Sequence, residues 1–369
     1  MPKIGIKGLA VSVTASVLLL SGCGLFQSDQ ASEEIDPPQD IKYVKEEKEQ
    51  DQTDKTEEKT DDKGGKTTGE HKAEQNGDTV MRELYLIDKN GYVTAQTLPL
   101  PKQEGTAKQA LEYLVEGGPV SNILPNGFRA VLPADTTVNV DIKEDGTAIA
   151  DFSNEFKNYK AEDEQKIVQA ITWTLTQFNS IDKVKIRMNG HDLKEMPVNG
   201  TPLSENLGRE DGINLETSGV TDITATQPVT VYYLAEADQG TYYVPVTKRS
   251  SDKKSDQVTA AIEELTEGPS KKSGLLTDFQ GDVKLESKPK IEDGHVTLDF
   301  NEAIYGSADG EKKVISDEVL NSIVLTVTEL PDIKSVSVTV NGKAELVNEK
   351  GEKLSKPVSR PSRVNTGSF

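Results

Sequence analysis

Two pairs of carboxylates stand at matching places in the chain: Asp151 with Glu155, and Asp299 with Glu302. Acids spaced in this way at a strand end suit cleavage of a glycan, one protonating the leaving oxygen while the other attacks or activates water. The same residues also suit a structural task, capping the approach to a following helix, where acids complement the exposed amides of the first turn. Repetition of both pairs favours the structural task, because duplication is natural for a scaffold and unusual for a reaction centre. The histidines offer less. His71 lies in a polar stretch with no scaffold to position it, His191 aligns with Lys343, and His295 aligns with Thr147, so the pattern requires none of them. The chain carries no His-Glu-x-x-His, no Gly-x-Ser-x-Gly and no Cys/His set, which removes the sequence grounds for a zinc or serine hydrolase. Gly64-Gly65-Lys66-Thr67-Thr68 has the end of a phosphate loop, but Thr60 stands where its first glycine belongs and neither strand nor helix flanks it.

The one cysteine has a more informative setting. Lys3 and Lys7 precede an uncharged apolar run from Leu9 to Leu20, the basic and hydrophobic regions of an export signal. As a helix the run would reach roughly 18 Å, against about 30 Å of membrane hydrocarbon, so it is too short to span. Leu20-Ser21-Gly22-Cys23 closes it and resembles the lipobox of bacterial lipoproteins. That resemblance implies cleavage between Gly22 and Cys23, diacylglycerol on the Cys23 thiol, and a protein tethered by lipid to the outer face of the cell membrane. Two acyl chains anchor stably. No thiol then remains for catalysis, metal binding or a disulfide.

Among 369 residues the acids outnumber the bases 62 to 42, a formal charge of -20. This argues against a nucleic-acid partner, whose phosphates demand a basic face, and against adhesion to anionic lipid by charge. From Glu33 to Asp78 the chain holds 16 acids and 8 lysines and almost nothing apolar, a composition that cannot offset its ordering entropy. The expected division is a signal at 1–22, the lipidated cysteine and a disordered acidic linker at 23–79, a first folded unit at 80–205, a linker at 206–227, a second unit at 228–353 and a flexible tail at 354–369.

The two units are one unit written twice. Leu111-Glu-Tyr-Leu-Val-Glu116 before Gly-Gly-Pro119 answers to Ile262-Glu-Glu-Leu-Thr-Glu267 before Gly-Pro269. Asp145-Gly146 with Asp151-Phe152 answers to Asp293-Gly294 with Asp299-Phe300, and Asn189-Gly190 to Asn341-Gly342. Within each copy the patterning predicts two strands, a helix ended by the Gly-Pro pair, a hairpin turning at Asp-Gly, a second helix (Asp163 to Asn179; Ser316 to Leu330) and a last alternating strand. The order β-β-α-β-β-α-β describes an α+β unit with its helices on one face of a sheet.

With these motifs the repeat resembles the GerMN domain of sporulation and germination lipoproteins. The resemblance implies a fold akin to the ring-building motif of secretion-system and sporulation-channel proteins. It also implies a place between mother cell and forespore, protein contacts that assist the channel complex joining them, and no cofactor. Homo-oligomer formation stays open. A peptidoglycan-binding or peptidoglycan-cleaving lipoprotein and a solute-binding lipoprotein are the alternatives, the latter disfavoured by an aromatic content of only 5% and by units too small for long strand-helix-strand crossovers.

On a helical wheel the second helix gathers Ile167, Ile171, Val168, Leu175 and Phe178 on one arc, and Val319, Leu320, Ile323, Val327 and Leu330 on the same arc of the other copy. Trp173, the single tryptophan, and its counterpart Leu325 fall well outside that arc. Two readings follow: both are exposed anchors for a partner, since large apolar side chains dominate contact energetics, or both pack on the sister copy or beneath the Pro125 loop.

Overall fold

A computed structural model describes residues 78–217, 226–238, 240–250, 256–305 and 313–366. The signal, Cys23 and the acidic linker through residue 77 lie outside them.

Each copy begins with β-forming residues that pair locally. In the first, β1 (Thr79–Asp88) and β2 (Val93–Pro101) make an antiparallel hairpin through Asn90-Gly91. The helix that follows, α1 (Thr106–Glu112), stops short of the expected Gly-Pro end. Leu114 O accepts the amides of Val131 and Leu132, and Glu116 N donates to Leu132 O, which draws the chain out of helical geometry. A short β3 (Phe128–Arg129) then adds to β1. The second sheet has the order β4 (Val138–Ile142), β5 (Thr147–Phe152), β6 (Lys183–Met188), β7 (His191–Asp192). Its β5 and β6 are parallel, so a crossover must join them, and α2 (Glu164–Leu175) supplies it.

The second copy repeats this plan. A hairpin, β8 (Gln227–Ala237) and β9 (Gly240–Ser250), is followed by α3 (Gln257–Glu267), which ends at Gly268 with φ 87°. Then come β10 (Lys290–Glu292), β11 (His295–Phe300), the crossover α4 (Asp317–Val327), β12 (Ser335–Val340) and β13 (Val358–Ser359). Val336, Val338 and Val340 of β12 are buried while Ser335, Ser337 and Thr339 between them are half-buried, the period of two that one covered face demands.

The α+β unit is thus present twice in the expected order, but the strands of each copy divide between two sheets. The helix closes the open edge of the hairpin: Thr174 Oγ1 accepts from Tyr85 N at 3.1 Å, and Thr326 Oγ1 accepts from Tyr232 N at 3.0 Å. A hydroxyl thereby takes the amide that a neighbouring strand would otherwise take. Sandwiched in this way, α2 buries nine of its 12 residues.

The segments expected to be a linker and a flexible tail are packed along much of their length. Leu207 exchanges backbone hydrogen bonds with Val184, and Ile213 is fully buried. Val358 and Ser359 pair with Val336 and Ser335, and Val364 is buried. Apolar residues spaced singly among polar ones gave no period to read. Both copies belong to one compact unit, and no helix among the described residues is long and apolar enough to cross a membrane.

Candidate functional site

The paired acids have a common and specific occupation. Asp151 Oδ1 accepts from Gly190 N at 2.9 Å, and Asp299 Oδ1 accepts from Gly342 N at 2.8 Å. Both glycines end Asn-Gly turns whose two residues are left-handed, with φ of 51° and 79° at Asn189-Gly190 and of 49° and 74° at Asn341-Gly342. Such primed turns reverse a twisted strand tightly, and each aspartate holds the turn from the adjacent strand end. Thr339 Oγ1 also donates to Asp299 at 2.8 Å, and Asn341 Nδ2 to Glu302 at 3.2 Å. The aspartates therefore do not cap the second helix, contrary to the sequence expectation; they are spent on the strand beside them. Glu155 is half-buried, in a 3-10 turn (Asn154–Lys157), and a hydrogen bond from Ser153 lowers its pKa.

Other residues serve the helix starts. Ser316 Oγ accepts from Val319 N at 3.1 Å in α4. At the head of α2, the carboxylate of buried Glu164 collects Val198 N (3.1 Å), Asn199 N (2.7 Å), Thr201 N (2.9 Å), Thr201 Oγ1 (2.5 Å) and Tyr159 OH (2.8 Å). Burial opposes its ionisation, but these donors prevail and hold its pKa at about 2. His191 is exposed on β7, and His295 Nδ1 lies 3.1 Å from Ser335 Oγ. Among the described residues no group of three or more His, Cys, Asp and Glu is placed to hold a metal ion.

Trp173 and Leu325 are not exposed anchors; they are 0% and 1% accessible. The wheel assigned one buried face, but a helix between a sheet and a hairpin has two. Trp173 packs against Tyr85, ring centroids 5.5 Å apart, and under the Arg209 guanidinium at 4.4 Å. Leu325 clusters with Tyr232 and Val364. What covers them comes from 206–217 and 354–366, the segments taken for linker and tail.

Those segments carry the residues that sequence reasoning missed. Glu329, just past the end of α4, is ion-paired with Arg209 through one carboxylate oxygen and with Arg360 through the other, at 3.3 Å. Tyr232 OH donates to Glu329 at 2.8 Å, Arg360 donates to Tyr232 OH at 3.0 Å and to Leu325 O at 3.2 Å, and Arg209 Nε donates to Thr176 Oγ1 at 3.0 Å. Burial pushes the Glu329 carboxyl up, and the two guanidinium charges outweigh it and hold the group below its ordinary range. Nearby, burial pushes the Glu83 carboxyl up against the same two arginines. Asn214 and Asn365, five residues beyond each arginine, bridge β2 to β9. The network is a seam between the copies, built from both.

A protein-family model described as Germane, sporulation and spore germination, matches residues 83–194 and 230–346. The chain belongs to the Germane family. It is similar to the spore germination protein GerM of Bacillus subtilis (strain 168), 71% identical over 369 residues, with 100% of each chain covered. It is also similar to a solved structure, the tandem GerMN domains of the sporulation protein GerM from Bacillus subtilis. That likeness has a TM-score of 0.74 and 77% identity, and covers 78% of this chain and 100% of the other. The setting is sporulation and germination, and the Germane family is named for that setting rather than for a catalysed reaction. Both Germane matches end before the arms that carry Arg209, Asn214, Arg360 and Asn365.

Proposed function

We propose that this Germane protein is a membrane-tethered, non-enzymatic scaffold, held by diacylglycerol on Cys23 and acting through protein contacts in the sporulation envelope. Its partners are channel and envelope proteins in the space between mother cell and forespore, reached across the acidic linker. One observation carries the reading. The acids best placed for chemistry are committed in both copies to the same structural bond, Asp151 to Gly190 N and Asp299 to Gly342 N. Fluorescently tagged protein followed through spore formation tests it: enrichment at the engulfing septum is expected, and uniform display on vegetative cells with none at the septum overturns it.

A glycan reading retains one foothold. Ser287, Lys290, Thr297, Asp299, Thr339 and Gly342 line a shallow hydroxyl-rich depression on the second sheet of copy two. At the matching place in copy one, Ile149 and the Arg187–Asp192 ion pair stand instead. Incubation of the full chain with purified peptidoglycan separates the readings, since the scaffold account expects no released muropeptides.

A further inference from the structure

Arg209, Ile213 and Asn214 recur as Arg360, Val364 and Asn365, each 151 positions later, the same offset that separates Leu111 from Ile262. The segments between and after the matched domains are therefore the same element, a C-terminal arm of the repeating unit. Its asparagines act identically. Asn214 Oδ1 accepts from Val93 N at 2.9 Å, and its Nδ2 donates to Val93 O and Pro245 O, both at 2.7 Å. Asn365 Oδ1 accepts from Tyr243 N, and its Nδ2 donates to Tyr243 O and Ala95 O, all at 2.8 Å. Exchanging Val93 with Tyr243 and Ala95 with Pro245 turns one set into the other, which is the signature of a local two-fold. Both residues sit in the left-handed region, φ 47° and 54°, which asparagine tolerates better than other side chains do.

Around this axis β2 and β9 lie side by side and antiparallel without a ladder of their own, the amide side chains standing in for it. Charge is matched across the seam: Glu329 holds Arg360 of its own copy and Arg209 from the arm of the other.

We propose that the seam is a self-complementary recognition surface. A unit ending in Arg-x-x-x-[Ile/Val]-Asn pairs with another unit ending in the same arm, and the peptide connecting the copies is not needed for the pairing. Interfaces of this two-fold kind use one patch twice. In the intact chain the sister copy fills the surface, so assembly with other proteins uses the remaining faces.

The test is a protease site inserted between residues 218 and 225 of the full chain, cut after folding and followed by size-exclusion with light scattering at micromolar concentration. The cut halves are expected to migrate as one particle. In the Asn214→Ala/Asn365→Ala chain they are expected to separate, with pairing weakened roughly tenfold or more. Wild-type halves that separate after cutting overturn the proposal, and so do double-alanine halves that stay paired as tightly as wild type. Should the alanine chain fail to fold before cutting, Asn214→Asp/Asn365→Asp decides. It keeps the acceptor and the shape but loses the donors, and unchanged pairing there also overturns the proposal.

Discussion

Glu164 shows how one side chain can organise a neighbourhood. Its carboxylate satisfies three loop amides and two hydroxyls at the start of α2, and its pKa lies near 2 against an ordinary 4.5. A depressed acid contributes stability that is complete above its unfolded pKa and lost as pH falls toward its folded one. Thermal stability should therefore decline between about pH 4.5 and pH 2, by on the order of 3 kcal/mol from this group. Glu164→Gln should be less stable at neutral pH and should lose much of that decline in a series of pH-dependent melts. Gln96 is the opposite case, fully buried with neither amide atom partnered, where the second copy has Val246. Gln96→Val should raise stability by about 1 kcal/mol or more, because an unmatched buried amide costs more than the apolar side chain that replaces it. Trp173→Ala in the folded chain should cost about 3 to 5 kcal/mol in denaturant unfolding, the range for a truncated buried aromatic.

At the scale of elements, the regular parts were legible because each obeys a local rule. Val336, Val338 and Val340 alternate, Asn189-Gly190 and Asn341-Gly342 take the positive angles their types permit, and apolar spacing located the four α-helices found among the described residues. The end of α1 was not legible, since what terminates it is a pairing of Leu114 with Val131 and Leu132, well downstream in the chain. Nor was the burial of Trp173 and Leu325, because a wheel reports an amphipathic face and α2 and α4 have partners on two sides. The arms were hidden for another reason: their anchoring residues are arginine and asparagine, which read as solvent-facing until the same spacing is noticed twice. Deleting 357–369 removes β13, Arg360, Val364 and Asn365 together and leaves Glu329 with one arginine. The truncated chain should lose at least about 3 kcal/mol, the cost of breaking a buried ion pair, and a tail that contributes nothing to the melt would refute that packing.

At the scale of the whole molecule, the proposed anchor is a separate matter from the duplicated fold. On the proposed lipidation, Cys23→Ala should move the protein out of the detergent phase, or leave it unprocessed, without changing the melting of the folded unit, because none of the packing described for that unit involves Cys23. Unchanged partitioning would mean that something other than Cys23 holds the protein to the membrane. The central claim is that the matched acids build structure and perform no reaction. Asp151→Asn/Asp299→Asn tests it most directly, because an amide oxygen still accepts from Gly190 N and Gly342 N while the capacity for acid or nucleophilic chemistry at both sites is gone. Spore yield and germination in cells carrying only this chain should match wild type; a folded, correctly placed double variant that fails to support spore formation would contradict the account.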